Sequence, residues 1–194
     1  MQREGRRSRG RRVYAGVGTR ATPSRVLFGI EAAARRLARG GWTMRTGMSP
    51  GADQAFYRGA IRGRGPVELF LPWPTFEAQA RLLSEGPLVY VLPEPAEEAY
   101  ALAARFDPSW ETLDSAGRRL RARDCHQVLG RDLASPVRLI VCWTPDGNLD
   151  GTGRLVGGTG QALRIARHYR VEVLNLARPG HPGRLARLIS RSRA

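Results

Sequence analysis

Residues 13–30 read VYAGVGTRATPSRVLFGI: a short β-branched run, a glycine-containing turn, then an apolar pattern of helical period. VYAGV (13–17) predicts a strand, and the loop GTRATPS follows it. Pro23 and Ser24 suit the first turn of a helix, where a missing N–H costs nothing. Val26, Leu27, Ile30, Ala33, Ala34 and Leu37 then share one face, and the glycines at 40 and 41 stop the helix.

The same alternation continues along the chain. WTMRT (42–46) predicts a second strand, the loop GMSPGAD follows, and ADQAFYRGAIR (52–62) predicts a helix. VELFL (67–71) is a third strand, and after PWP (72–74) the stretch TFEAQARLL predicts a helix. PLVYVLP (87–93) reads as an edge strand or an extended segment, and AEEAYALAARF as a helix. Residues 109–133 read as one or two helices. VRLIVCW (137–143) is the most continuous apolar run and predicts a central buried strand. A Gly/Asp-rich loop (145–158) leads to the helix GQALRIARHY, then VEVLNL (171–176) is a strand and 182–192 a basic helix. Strands alternating with helices predict an α/β fold with a doubly wound, mainly parallel sheet and right-handed crossovers. The expected organisation is a basic arm (1–12), a single domain (13–177) with 84–135 as a helical insertion, lid or dimer face, and a basic tail (178–194).

In such a sheet, ligands bind beyond the carboxyl ends of the strands, where strand order switches. Three glycine-rich loops fall at such ends: 16–20, 47–51 and 145–160. GVGTRA (16–21) matches G-x-G-x-x-G/A, whose glycines let a backbone approach a phosphate at a helix N-terminus. The dinucleotide form of that motif also places an acid at the end of the second strand. WTMRTG offers Arg45 there instead, which argues against a conventional NAD enzyme. Arg20 reads as an anion contact or as a solvated loop arginine. TGMSPGAD (46–53) is a second candidate anion turn, with Asp53 either meeting a ligand hydroxyl or stabilising the first helical turn. GGTGQA (157–162) presents free backbone N–H groups and the Thr159 hydroxyl, a site that holds phosphate without a lysine; the alternative is a tight strand-to-helix turn. The ligand set expected from these loops is Gly16, Gly18, Thr19, Arg20, Thr46, Gly47, Gly51, Asp53, Gly157, Gly158, Thr159, Gly160 and Gln161. Trp73 and Trp143, at two strand ends, either stack on a base or close the edge of the core. Arg118, Arg119, Arg121 and Arg123 read as a solvated helix face. Cys125 and His126 lack a partner acid for a Cys–His nucleophile.

Composition narrows the chemistry. The chain has 194 residues and a net charge of +15, carried entirely by arginine; lysine is absent, which removes a Walker-type P-loop and Schiff-base chemistry. Residues 1–12 hold six arginines and one glutamate, and residues 178–194 hold five arginines and no acid. Basic ends on a milder body suggest a polyanion partner, although an arginine bias of a GC-rich genome gives the same count. No apolar run spans a bilayer and the first twelve residues lack the apolar segment of a signal peptide, so a cytoplasmic protein with no membrane partner is expected. The two cysteines then stay reduced, and His126, His168 and His181 show no metal-ligand spacing.

The loops GVGTRATPS, TGMSPGADQAF and GGTGQALRIA together resemble the Rossmann-like superfamily of the DNA-processing protein A (DprA) proteins and the Lonely Guy (LOG) nucleotide hydrolases. Within it the chain most resembles small phage-type DprA-like proteins labelled DNA recombination-mediator protein A. The resemblance covers roughly residues 13–177. It implies a Rossmann-like domain that binds single-stranded DNA, with a recombinase as partner and a homodimer as an expected state. It carries over at Gly18, Thr19 and Arg20, and at Gly47, Gly51 and Asp53. It departs at Pro50, where DprA-like proteins usually place an arginine.

The LOG signature PGGxGTxxE aligns with Val156 to Arg164. Its glycines persist, but the catalytic glutamate is Arg164, and a cation cannot stabilise an oxocarbenium-like state. Hydrolysis of a nucleoside monophosphate would need Asp53, Asp146 or Asp150 as the acid, and no catalytic residue is assigned. The expected ligand is single-stranded nucleic acid or a small nucleotide, with no other cofactor and no metal.

Overall fold

The computed structural model describes residues 11–80, 87–93, 96–152 and 157–192. Its strands are β1 (Val13–Gly18), β2 (Thr43–Thr46), β3 (Val67–Leu71), β4 (Leu88–Val91), β5 (Leu139–Trp143) and β6 (Glu172–Asn175). The helices are α1 (Ser24–Arg39), α2 (Ala52–Arg62), α3 (Glu97–Phe106), α4 (Ser115–Leu129), α5 (Gly157–His168) and α6 (His181–Arg191). The strands form one sheet in the order β4-β3-β2-β1-β5-β6, and every pairing is parallel. This is the Rossmann-like α/β architecture expected from the sequence. The order reverses between β1 and β5, which makes their carboxyl ends the switch point.

Alternate strand residues feed two cores. Tyr14, Met44, Leu69, Leu139 and Val141 pack with α1, α2 and α6. Val13, Ala15, Val17, Ile140 and Cys142 pack with α3, α4 and α5 on the other face. A sheet covered on both sides buries both residues of each pleat, which is why β1 and β5 read as continuous apolar runs, while β3 carries one buried acid, Glu68. α1 buries Ile30, Ala34 and Leu37, a single helical stripe, and ends with Arg36 and Arg39 beside its negative pole. Gly16 lets α2 approach: a Cβ there would lie 2.5 Å from the Phe56 ring.

One expectation changes, and two segments gain detail. TFEAQARLL does not start as an α-helix: residues 75–77 are turn and Ala78–Ala80 a single 3-10 turn, with 81–83 outside the described residues. Glu77 sits at φ +49°, a left-handed conformation through which an α-helix does not run. In segment 84–135, β4 extends the sheet at its edge, and α3 and α4 form much of one covering layer. The C-terminal segment, expected as a tail carrying a basic helix, docks: Leu185 and Ile189 of α6 are buried in the core. The Arg12 guanidinium donates to the Ser192 carbonyl (3.2 Å), and the Trp42 indole N–H to the Ser192 hydroxyl (2.9 Å). Among the described residues, no helix is long and apolar enough to cross a membrane.

Candidate functional site

β1 runs into Gly18, Thr19 and Arg20; β2 runs into Ser49 and, at the start of α2, Asp53; α5 begins at Gly157. These segments and α4 enclose a cavity of about 420 Å³ at the switch point. Of the expected ligand set, Gly18, Thr19, Arg20, Asp53, Gly157, Gly158 and Thr159 line it. Local chain chemistry explains the geometry. Gly51 precedes α2 with φ +89°, a left-handed conformation that favours glycine, and packs its α-carbon against Thr19 and Arg20. That contact ties the first two loops together.

The other expected residues sit behind the wall. Gly16 faces Phe56, and the Thr46 hydroxyl donates to the Gly16 carbonyl (3.0 Å). Gly47 leaves room for the Arg123 guanidinium. Gly160 is buried within α5, and the Gln161 amide nitrogen donates to the Arg121 carbonyl (3.0 Å) and the Cys125 sulfur (3.3 Å). Trp73 meets Phe76 edge-on with ring centroids 5.2 Å apart, and Trp143 packs against the α1/α2 core; neither lines the cavity.

The cavity's fourth wall is α4, whose arginines the sequence pattern places on a solvated face. Arg121, Arg123, Asp124 and Gln127 of α4 all line it, so the arginine cluster is not a solvated face. Arg123 is 2% exposed and lies 3.1 Å from Asp124, and it also donates to the Ser49 hydroxyl (3.1 Å). With its oxygen turned toward them, the Gln127 amide accepts from Gly47 N–H (2.6 Å) and from Arg123 (3.1 Å). Arg121 reaches Asp107 (2.5 Å) and Asp124 (3.6 Å). Arg119 leaves the cavity and donates to the Pro72 carbonyl, and Arg118 covers the Trp110 ring. The missed signal was the spacing Arg121, Asp124 and Gln127: opposite charges one turn apart suit a helix face that meets charged loops.

Two carboxylates therefore stand in a cavity expected to take an anion. Burial pushes the Asp53 carboxyl up to about 7; Arg123 opposes that shift and Asp124 reinforces it. Asp53 also accepts from the Ser49 N–H (3.3 Å), so it stabilises the turn into α2 while facing the cavity. Burial raises Asp124 too, against Arg123 and Arg121. Its carboxylate fills the space a Cβ on Gly158 would need, at the positive pole of α5. The other two acids considered for hydrolysis lie elsewhere: Asp146 accepts from Asn148 N–H (3.1 Å), and Asp150 accepts from the Thr152 hydroxyl (2.7 Å). Arg164 braces the α3 end and the loop after β5, donating to the Phe106 and Gly151 carbonyls. Val156 lies outside the described residues.

The Cys125–His126 pair offers no nucleophile. Burial raises the Cys125 thiol, and His126 stacks on Phe70 with its Nδ1 2.9 Å from the Gly130 carbonyl. Arg45 pairs with the buried Glu68 (2.6 Å), which explains an arginine where a ribose-binding acid would stand. Among the described residues, no three His, Cys, Asp or Glu side chains cluster as metal ligands.

No family model matches the chain, and no curated protein matches it. Among solved structures, the chain is similar to the X-ray structure of DNA processing protein A (DprA) from Streptococcus pneumoniae, with a TM-score of 0.52 and 15% identity. The match covers 93% of this chain and 56% of that one, so the chain spans little more than half its neighbour's length. At that identity the likeness concerns the fold.

Proposed function

We propose that the chain binds single-stranded nucleic acid, seating one phosphate-bearing nucleotide unit in the switch-point cavity. One observation carries this reading: glycine-rich loop ends, the exposed Arg20 and the start of α5 converge on a single cavity of about 420 Å³. Backbone N–H groups at a helix N-terminus and a nearby guanidinium bind phosphate without a lysine. The solved neighbour is a DNA processing protein, which agrees with a nucleic-acid ligand. Titration of a labelled oligonucleotide tests it. Log affinity should fall with log salt by about 0.7 per phosphate contacted. Binding that ignores salt would sink it.

A second reading, a free nucleotide as ligand, draws on Asp53 and Asp124. Carboxylates in a cleft accept hydrogen bonds from sugar hydroxyls or base amino groups, which suits a small molecule with polar groups on several sides. A mononucleotide would then raise the melting temperature. If such a nucleotide is also cleaved, Asp53 is the one of the three acids considered for hydrolysis that lines the cavity, since Asp146 and Asp150 do not. Release of free base by the wild type and not by Asp53→Asn is the measurement that decides it.

A further inference from the structure

Arg12 and the arginines of α6 do not meet the cavity. Arg12 precedes β1, Glu172 opens β6, and both lie at the amino-terminal edge of the parallel sheet. The cavity lies at the carboxyl edge, about 16 Å away along β1. At the amino edge, Arg12, Arg184, Arg187 and Arg191 surround a depression of about 400 Å³ whose one acid among the described residues is Glu172. Glu172 is taken by Arg184 at 2.7 Å. Arg184, Arg187 and Arg191 recur at i, i+3 and i+7, so one exposed stripe of α6 carries three guanidinium groups over about 10 Å.

The fold joins the two ends here. Arg12 donates to the Ser192 carbonyl (3.2 Å), so the residue before β1 and the end of α6 share one corner. In sequence, Arg3, Arg6, Arg7 and Arg9 precede that corner, and Arg193 follows it.

We propose that this corner is a second polyanion site, and that its ligand is the phosphate backbone of single-stranded nucleic acid. The proposal rests on the single-strand reading above, but on different residues. Charge complementarity selects the ligand: Arg187 and Arg191 are exposed and, among the described residues, have no acidic partner. An anionic membrane is the weaker candidate. A basic amphipathic helix binds bilayers through its apolar face, and here Leu185 and Ile189 of that face are buried in the core.

The test is the double variant Arg187→Glu/Arg191→Glu, assayed with a labelled oligothymidylate of about 20 nucleotides. Affinity should fall about tenfold or more, and the salt slope should become shallower by about 1.4, the share of two phosphates. Circular dichroism, and any thermal shift given by a mononucleotide, should match the wild type. Unchanged oligonucleotide affinity and slope would overturn the proposal and leave the cavity reading standing. The reverse pattern, lost oligonucleotide binding in a protein with no mononucleotide response, would support this corner and remove the cavity reading. Wild-type protein that binds phosphatidylserine vesicles and no oligonucleotide would overturn both.

Discussion

The carboxylate of Asp124 fills the space that a Cβ on Gly158 would need, so the chain's own acid sits at the pole of α5 where the sequence suggested a phosphate. Gly158→Ala should therefore cost about 1–3 kcal/mol, the usual range for overpacking a site that cannot relax. Chemical denaturation measures that cost. The same substitution made in an Asp124→Ala background should cost less, because the obstructing group is gone. Additive costs in this double-mutant cycle would mean the two residues do not meet.

Asp124 also sets the terms for any incoming anion. Arg121 and Arg123 already share its charge, at 3.6 and 3.1 Å, so a phosphate at Gly158 competes with an internal partner. Asp124→Asn keeps the shape and removes the competitor. Inorganic phosphate or a nucleoside monophosphate should bind about tenfold tighter to this variant, about 1.4 kcal/mol and near the value of one charge-assisted hydrogen bond. Isothermal titration reads the change. Weaker binding would instead make Asp124 a ligand contact.

Asp53 gives a pH signature. Its carboxyl titrates near 4 when unfolded and near 7 when folded. The folded state thus holds a proton that the unfolded state releases, and the contribution of Asp53 to stability falls as pH rises from about 4 to about 7. Asp53→Asn has no such loss. The difference in melting temperature, variant minus wild type, should be more positive at pH 8 than at pH 5. An unchanged difference would place Asp53 in an ordinary, hydrated setting.

These residues also show what the sequence could convey. Strand and helix order was legible because burial on both sheet faces leaves continuous apolar runs such as VYAGV and LIVCW. The loops Gly18–Arg20 and Gly157–Thr159 were legible because backbone approach at a helix start demands small residues. α4 was not. Its Arg121, Arg123 and Asp124 look like an exposed charged face from spacing alone. Only the crossover from the β4 edge to β5 swings that face over the switch point, where Gly47 admits a guanidinium and Gly158 a carboxylate. Gly47 and Gly158 therefore serve neighbouring side chains, and a local pattern cannot tell that use from ligand binding.

Gly16 separates those two uses of glycine. The Phe56 ring lies 2.5 Å from where its Cβ would be. Gly16→Ala should lower stability by about 1–3 kcal/mol through displacement of α2. Oligonucleotide affinity of the folded fraction should change little, since Gly16 lies behind the cavity wall. A large affinity loss with wild-type stability would return Gly16 to the ligand set.

Arg20 is the opposite case. It lines the cavity, is exposed, and among the described residues has no ion-pair partner. Removing an unpartnered surface side chain moves stability by no more than about 0.5 kcal/mol. Arg20→Ala should therefore melt like the wild type. If Arg20 contacts one phosphate, the variant should bind the oligonucleotide more weakly and show a salt slope shallower by about 0.7. A mononucleotide should lose affinity in parallel, because the same guanidinium faces the same cavity. Arg187→Glu/Arg191→Glu should weaken the oligonucleotide alone. The two variants thus assign each lost phosphate contact to one edge of the sheet, and wild-type binding by Arg20→Ala would move the anion contact off the first loop.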